Sequence, residues 1–476
     1  MSTKRVVLLW DKFTRDYLSL ECIRAYLLQL DPSIEVSIEH QDFFITEAGT
    51  DFFERTARPA SLVVMPSFNY RRMDSVLARV LQQGAALALA HSEQLFPPIF
   101  NESKFNLSRA DRYRALTCGH LVWGSFYADQ LHEQVGVPRE SLYVCGNPKF
   151  SVLQSRLRGL REEHRGTTEG SAGGRRKILV LSNFLVADYS DREWDAFCER
   201  WFVPPQYTLN QWFSEVRKAC LAWIQEAAHA HPDVDFLLRP HPGEDEAPYR
   251  AACNRDNLIL TGGAELVVDL AKADLVLTYT SSAALESIAA DIPTYSLDLQ
   301  RMPEETVQPP PQMHRWIDLP QLQALVADVA AGRLEQHQPS AEQRQALEDS
   351  SHQSAIGAWA SHAAAIHHLL QSASPPRLSA AEWLRAQGFI LRMRLRALLF
   401  PLAYHNPLLP VRQRARAWLQ RRNARLESAR DLVPAAVCAA VRGNADELVS
   451  EACVELQPEL LVRHDSGWTA PGPLSA

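Results

Sequence analysis

Two short stretches in the second half of the chain hold the residues best suited to chemistry: LLRPHPGED, from Leu237 to Asp245, and DLVLTYTSSAALESIAADIP, from Asp274 to Pro293. In the first, an apolar run ends at Leu238 and is followed by Arg239-Pro240-His241-Pro242. Proline fixes φ, so the two prolines pin the backbone on both sides of His241 and limit where its ring can go. An imidazole held this way can donate a hydrogen bond to a phosphate oxygen, with Arg239 adding charge. The structural alternative is a loop histidine bonded to backbone, and His231-Pro232, on a turn before Asp235, reads as that kind. In the second stretch the run from Leu275 to Tyr279 feeds directly into Thr280-Ser281-Ser282 and then a helical pattern to about Ala290. Small hydroxyl residues at a helix start are either N-caps or, beside free N–H groups and the positive helix end, ligands for an anion. The two stretches lie about forty residues apart in one α/β segment, and together they favour the phosphate reading. Glu286, one turn into the helix, is placed to accept from ribose hydroxyls or to stand as an ordinary solvent-facing helix carboxylate.

The elements that must position these residues form two series. Arg5 to Trp10, Ile34 to Ile38, Ser61 to Met65, Ala85 to Ala90, Leu121 to Trp123 and Leu142 to Val144 read as short strands. Tyr17 to Leu30 and Met73 to Gln83 read as helices between them, Gly84 stopping the second. Such alternation specifies a parallel sheet with helices on both faces. The polar, Gly-rich run from Arg165 to Arg176 reads as a linker. Beyond it, Ile178 to Leu181, Phe236 to Leu238, Leu258 to Leu260, Leu275 to Tyr279 and Thr294 to Leu297 read as strands, and Trp212 to Ala230 as a long helix. The expected division is therefore a Rossmann-like domain at 1–164, a linker at 165–176, a second Rossmann-like domain at 177–335, a helical return segment at 336–373 and a helical, Arg-rich region at 374–476. His241 and the Ser281-Ser282 pair then fall at the carboxyl edge of the second sheet, where open α/β sheets bind ligands.

Composition narrows the function classes. A formal charge of -7 over 476 residues argues against a protein that coats nucleic acid. The 8 cysteines stand singly with no zinc-ligand spacing, which reads as reduced thiols in a cytoplasmic protein. The amino terminus carries no signal-peptide pattern, and no apolar run is long enough to span a bilayer. GxGxxG after the first strand, GxxxxGK[ST] and GxSxG are missing, so NAD, P-loop and nucleophile-elbow chemistry have no motif here, and there is no DxD triplet of the sort metal-dependent transferases use to hold a nucleotide diphosphate. No metal and no cofactor are expected.

The RPHP loop followed by a strand and a Ser-Ser helix start resembles bacterial GT-B surface-carbohydrate enzymes of capsule and lipopolysaccharide synthesis. These include the sialyl-, polysialyl- and Kdo transferases that use CMP-sugars, and the CDP-glycerol glycerophosphotransferases. The segments HLVWGSFYADQL (His120 to Leu131), VCGNPKF (Val144 to Phe150) and VLSNFLVAD (Val180 to Asp188) are similar to such proteins as well. The resemblance covers roughly residues 1 to 330. It implies two Rossmann-like domains facing a cleft, with the cytidine nucleotide, chiefly its phosphate, on His241, Pro242, Ser281 and Ser282. A single phosphate on a CMP leaving group can be stabilised by a histidine and two hydroxyls without a metal.

The acceptor and the base that deprotonates it are then expected in the first domain. The candidate is Glu93 in AHSEQLFPP, just past the strand Ala85 to Ala90, with Asp11 and Asp16 in reserve; His91 reads as structural. Sialyltransferases of this kind carry an acidic Asp/Glu-Asp/Glu-Gly motif where this chain has Ser92-Glu93-Gln94. The expected reaction is transfer of a sugar, such as Kdo or a sialic-acid-like ulosonic acid, from CMP to a surface polysaccharide or lipid-linked acceptor. The alternatives are a CDP-glycerol- or CDP-ribitol-type polyol-phosphate transferase, which would call on Arg239 and Arg250 around a diphosphate, and a non-catalytic GT-B scaffold in a glycan assembly complex. Nucleotide-sugar epimerases share the fold but normally use a UDP-sugar.

From Trp383 to Leu426 the chain has no Asp or Glu, and arginines recur between leucines and aromatic residues. This segment reads either as an appendage packed on the domains or as a peripheral anchor on the anionic inner face of the cytoplasmic membrane.

Overall fold

The computed structural model describes residues 4–11, 16–41, 60–66, 83–101, 116–168, 175–201, 203–204, 208–262, 266–299, 309–352 and 357–375, with isolated positions between them and as far as Leu391. Its described residues fall into two units. One is built from Met1–Gln94, Lys104–Lys149 and Ser351–Ala476, the other from Leu95–Ser103 and Phe150–Ser350.

In the first unit, β1 (Arg5–Trp10), β2 (Glu35–His40), β3 (Leu62–Met65), β4 (Ala86–Ala90), β5 (Gly119–Val122) and β6 (Leu142–Val144) make one parallel sheet, ordered β2-β1-β3-β4-β5-β6. β3 is buried at every residue, as expected for a parallel strand covered on both faces. β2, at the edge, is half-buried along its whole length and carries Glu35 and Glu39, both paired with Arg5 of β1. Helices α1 (Leu18–Leu30) and α2 (Ser125–Val135) belong to this unit, the latter ending at Gly136 in the left-handed conformation. Of the helix expected at Met73 to Gln83, residues 73–79 lie outside the described residues.

The chain leaves β6 through the VCGNPKF segment into α3 (Pro148–Thr168). Residues 165–168, assigned to the linker on their polarity, continue this helix, and β7 begins at Arg176. Polar composition alone does not distinguish a solvated last turn of helix from a loop.

In the second unit, β7 (Arg176–Leu181), β8 (Val234–Arg239), β9 (Leu258–Leu260), β10 (Leu275–Thr278), β11 (Thr294–Leu297) and β12 (Trp316–Ile317) form a parallel sheet ordered β12-β11-β10-β7-β8-β9. Counted within the unit, this is 3-2-1-4-5-6 read from the β9 edge, the doubly wound Rossmann order. Helices α4 (Asp191–Trp201), α5 (Leu209–Ala230), α6 (Ala247–Ala252), α7 (Leu266–Lys272), α8 (Ala283–Ala289), α9 (Leu319–Ala330) and α10 (Ala341–Ser350) complete it. One face of the sheet buries Val216 and Ile224 of α5 with Leu322 and Val326 of α9. The other buries Phe150 and Leu153 of α3, Leu270 of α7 and Leu285 of α8. The turn at His231-Pro232 is structural as expected: the Asn257 amide donates to the carbonyls of Ala228, His231 and Val234 at 2.9–3.1 Å.

The helical stretch expected from Ala341 to Gln371 is two helices. α10 stays with the second unit, whereas α11 (Gly357–Ser372) returns to the first and packs on α1. VCGNPKF is its seat. Trp359 Nε1 donates to the Pro148 carbonyl at 2.9 Å and His362 Nε2 to the Gly146 carbonyl at 3.1 Å. Gly146 has φ +82°, and a Cβ there would meet the His352 carbonyl oxygen at 2.6 Å, so glycine is what permits the close approach.

The six described cysteines are free thiols, and burial pushes Cys118 and Cys220 up to about 12. No described helix is long and apolar enough to cross a membrane. Most of the basic segment from Trp383 to Leu426 lies outside the described residues; Trp383, Leu384 and Leu391 are exposed.

Candidate functional site

Register places the two motifs on one edge of the second sheet. Leu181, the last residue of β7, pairs with Arg239 of β8 and with Thr278 of β10. The residues that follow, Ser182-Asn183, Pro240-His241 and Tyr279 to Ser282, therefore emerge side by side at the carboxyl edge. β7 and β10 flank the topological switch point, where neighbouring crossovers run in opposite directions and leave a crevice.

Ser182-Asn183 joins the two motifs. Ser182 Oγ accepts the His241 backbone N–H at 3.0 Å, and Asn183 Nδ2 donates to the Thr280 carbonyl at 2.9 Å. Thr280 is buried with φ 37°, a left-handed conformation that is strained for a β-branched residue and is tolerated where surrounding contacts impose it. This turn leads into α8. Ser281 Oγ is buried and accepts from Ala283 N–H at 3.3 Å, while the exposed Ser282 hydroxyl caps no helix N–H. Ser281 thus serves the cap and Ser282 faces solvent. Glu286 sits in the first turn of α8, half-buried.

His241 is exposed, and its ring is oriented by its own turn. Gly243 N–H points at Nδ1 from 3.2 Å, and Glu244 N–H closes the turn on the His241 carbonyl at 2.9 Å. A backbone N–H can only donate, so Nδ1 accepts and the neutral ring carries its proton on Nε2. Partial burial of the ring lowers its pKa from 6.5, with the nearby Glu244 carboxylate opposing. At neutral pH His241 is an Nε2–H donor.

Among the described residues, three arginines of this unit are matched by carboxylates. Arg239 pairs with buried Asp269 of α7 at 2.5 Å, and Arg250 with Glu246 at 2.9 Å. Buried Arg217 of α5 grips both oxygens of Asp188 at 2.7 and 2.5 Å and holds that carboxyl below its usual range.

In the first unit Glu93 is exposed, three residues past the end of β4. His91 beside it is buried, as a structural residue should be. A hydrogen-bonded chain runs from the Tyr127 hydroxyl to His91 at 3.2 Å, on to His120 at 3.2 Å and to Thr117 at 3.0 Å. Of the reserve candidates, Asp16 accepts the Asp11 N–H at 3.2 Å, and Asp11 accepts from the buried Gln41 amide. Burial drives the pKa of His91 well below 6.5, that of His120 to about 3 and that of His362 to about 4. The unfolded chain therefore takes up these protons first. Stability present above about pH 6.5 should fall as pH drops toward 4, by on the order of a few kcal/mol. Denaturant titrations at pH 7.5 and 5 would register the loss, and His362→Gln should shrink it.

Comparison with solved structures decides the architecture. A Listeria monocytogenes protein provisionally assigned as a UDP-N-acetylglucosamine 2-epimerase matches with a TM-score of 0.53 at 11% identity, over 79% of this chain and 99% of its own. The fold is of the GT-B type. S. aureus MnaA, solved with UDP, gives a TM-score of 0.49 at 10% identity, over 79% of this chain and 100% of its own. The wall teichoic acid polymerase TagF gives 0.45 at 12% identity, over 78% and 88%. No family model matches the sequence, and no curated protein matches it. At such identities the likeness concerns fold, and the chemistry of this GT-B chain must be argued from its own residues.

Several of those residues escaped sequence reasoning. Ser182 and Asn183 lay inside VLSNFLVAD and Glu244 inside LLRPHPGED, yet none was given a role. The available signal was positional: Ser182-Asn183 follows the first strand of the second Rossmann unit, which is one side of the switch point in the doubly wound order.

Proposed function

We propose that this chain is a glycosyltransferase that moves a sugar from a CMP-activated donor to a cell-surface polysaccharide or lipid-linked acceptor. Kdo or a sialic-acid-like ulosonic acid is the sugar class we favour. The observation that carries the reading is the charge balance of the carboxyl edge. Arg239 and Arg250, which a diphosphate donor would call on, are paired with Asp269 and Glu246. Among the described residues, the groups offered to a ligand at the His241 loop and the start of α8 are neutral donors: His241 Nε2–H and the Ser282 hydroxyl, with Ser281 shaping the turn. Neutral, preorganised donors suit the single negative charge of a CMP-sugar and the second charge that develops as CMP departs. A metal-free diphosphate would want cations.

In this scheme His241, held by Pro242 and its turn, and the Ser281-Ser282 start of α8 bind the donor phosphate. Glu286 accepts from the ribose hydroxyls, and Glu93 takes the acceptor proton. Arg239 contributes through its pairing with Asp269, which fixes the end of β8 just before the His241 loop.

The test is transfer from CMP-Kdo or CMP-sialic acid to lipid-linked glycan acceptors, with CDP-glycerol as the competing donor. CMP release from the sugar donors should persist in EDTA. Turnover of CDP-glycerol alone would replace the sugar reading with polyol-phosphate transfer, and no turnover of either donor would favour a scaffold.

A further inference from the structure

We infer that Glu244 is the positioning residue of this edge: its carboxylate locks Ser182 and the His241 turn so that the imidazole presents Nε2–H outward. The inference rests on the reading of His241 as the phosphate ligand.

Three donors converge on this carboxylate. Phe184 N–H meets Oε1 at 2.7 Å, the Ser182 hydroxyl lies 3.0 Å from each oxygen, and the Tyr249 hydroxyl donates to Oε2. An ionised carboxylate has acceptor sites for all three and no proton of its own to misplace. The Ser182 hydroxyl has Glu244 at 3.0 Å and the Arg239 carbonyl at the longer 3.5 Å as acceptors, and its Oγ in turn accepts the His241 N–H at 3.0 Å. Glu244 N–H also closes the turn on the His241 carbonyl, and that turn brings Gly243 N–H onto Nδ1. Glu244 therefore holds both ends of the device: the backbone that carries His241 and the turn that selects its tautomer.

The nearest cation is shared: Arg217 feels the Glu244 charge but makes its ion pair with another carboxylate. Arg217 is bound to Asp188, which also accepts from the Asp245 backbone. Glu244 reaches the ligand only through His241, so it is not itself catalytic.

The experiment uses the full chain with ¹⁵N-labelled histidine, and His241→Ala identifies the His241 signals. Wild type should show Nε2 protonated and Nδ1 bare across neutral pH. Glu244→Gln should give a tautomer mixture and a lower titration midpoint, because an opposing negative charge is gone. CMP affinity should fall about tenfold in Glu244→Gln, and the double variant with His241→Ala should bind CMP no more weakly than His241→Ala alone. Tyr249→Phe, which removes a single donor, should move both readouts in the same direction by less, and it serves if Glu244→Gln is poorly folded. Wild-type tautomer and titration in both variants would overturn the inference, as would losses that add in full to His241→Ala. Should wild type bind no CMP while the tautomer still responds to Glu244→Gln, the positioning link stands and the donor reading fails.

Discussion

His241→Ala should lose cytidine-nucleotide binding while keeping the fold. The residue is exposed and its ring only partly covered, so its removal opens no closed cavity, and thermal stability should stay within about 0.5 kcal/mol of wild type. What disappears is one oriented donor to a charged phosphate oxygen, worth about 1.5–3 kcal/mol, or roughly a tenfold to hundredfold loss of affinity. His241→Gln should recover part of it, since an amide N–H reaches a similar place but has no Gly243 contact to fix it. Calorimetric titration of CMP into the three proteins measures this directly. Equal affinities would remove His241 from the phosphate site.

Glu93→Gln should strike turnover and spare donor affinity. A carboxylate that takes the acceptor proton typically contributes about 10²–10⁴-fold. Glutamine keeps the size and loses the basicity, and at this exposed position the fold should be unaffected. The measurement is steady-state transfer together with CMP affinity on the same preparation. A fall in kcat with unchanged CMP binding is expected. Unchanged kcat would show that the base lies elsewhere and return attention to Asp11 and Asp16, whose carboxylates are already engaged by Gln41 and by the Asp11 N–H.

Much of the scaffold is legible in the sequence, for a physical reason. Parallel strands covered on both faces must be continuous apolar runs, so Ile178 to Leu181 and Leu275 to Tyr279 announce themselves and the loops after them mark the binding edge. Boundaries set by solvent were harder. Nothing in the polarity of residues 165–168 separates a last helical turn from a loop, and the split between α10 and α11 left no clear break in a helix-favouring stretch.

The site divided in the same way. The pinned histidine and the hydroxyl helix start are local features and were visible as such. Partners chosen by sheet register were not. Leu181 must pair with Arg239 and Thr278 before Ser182 can meet His241 or Asn183 can meet Thr280, and that pairing spans tens of residues of sequence. Arg239 shows the limit of reading charge from sequence alone: its partner Asp269, 30 residues further on and 2.5 Å away, is set by the packing of α7. The likeness to an epimerase structure does not resolve this, because the fold is shared by enzymes with different donors.

The most direct test of the central claim is calorimetric binding of CMP, CDP, UMP and UDP to the wild-type chain without added metal. Preference for cytidine over uridine nucleotides, with CMP bound at least as well as CDP, is the predicted result. Tighter binding of UDP or UMP would contradict the CMP-sugar assignment while leaving the GT-B fold in place.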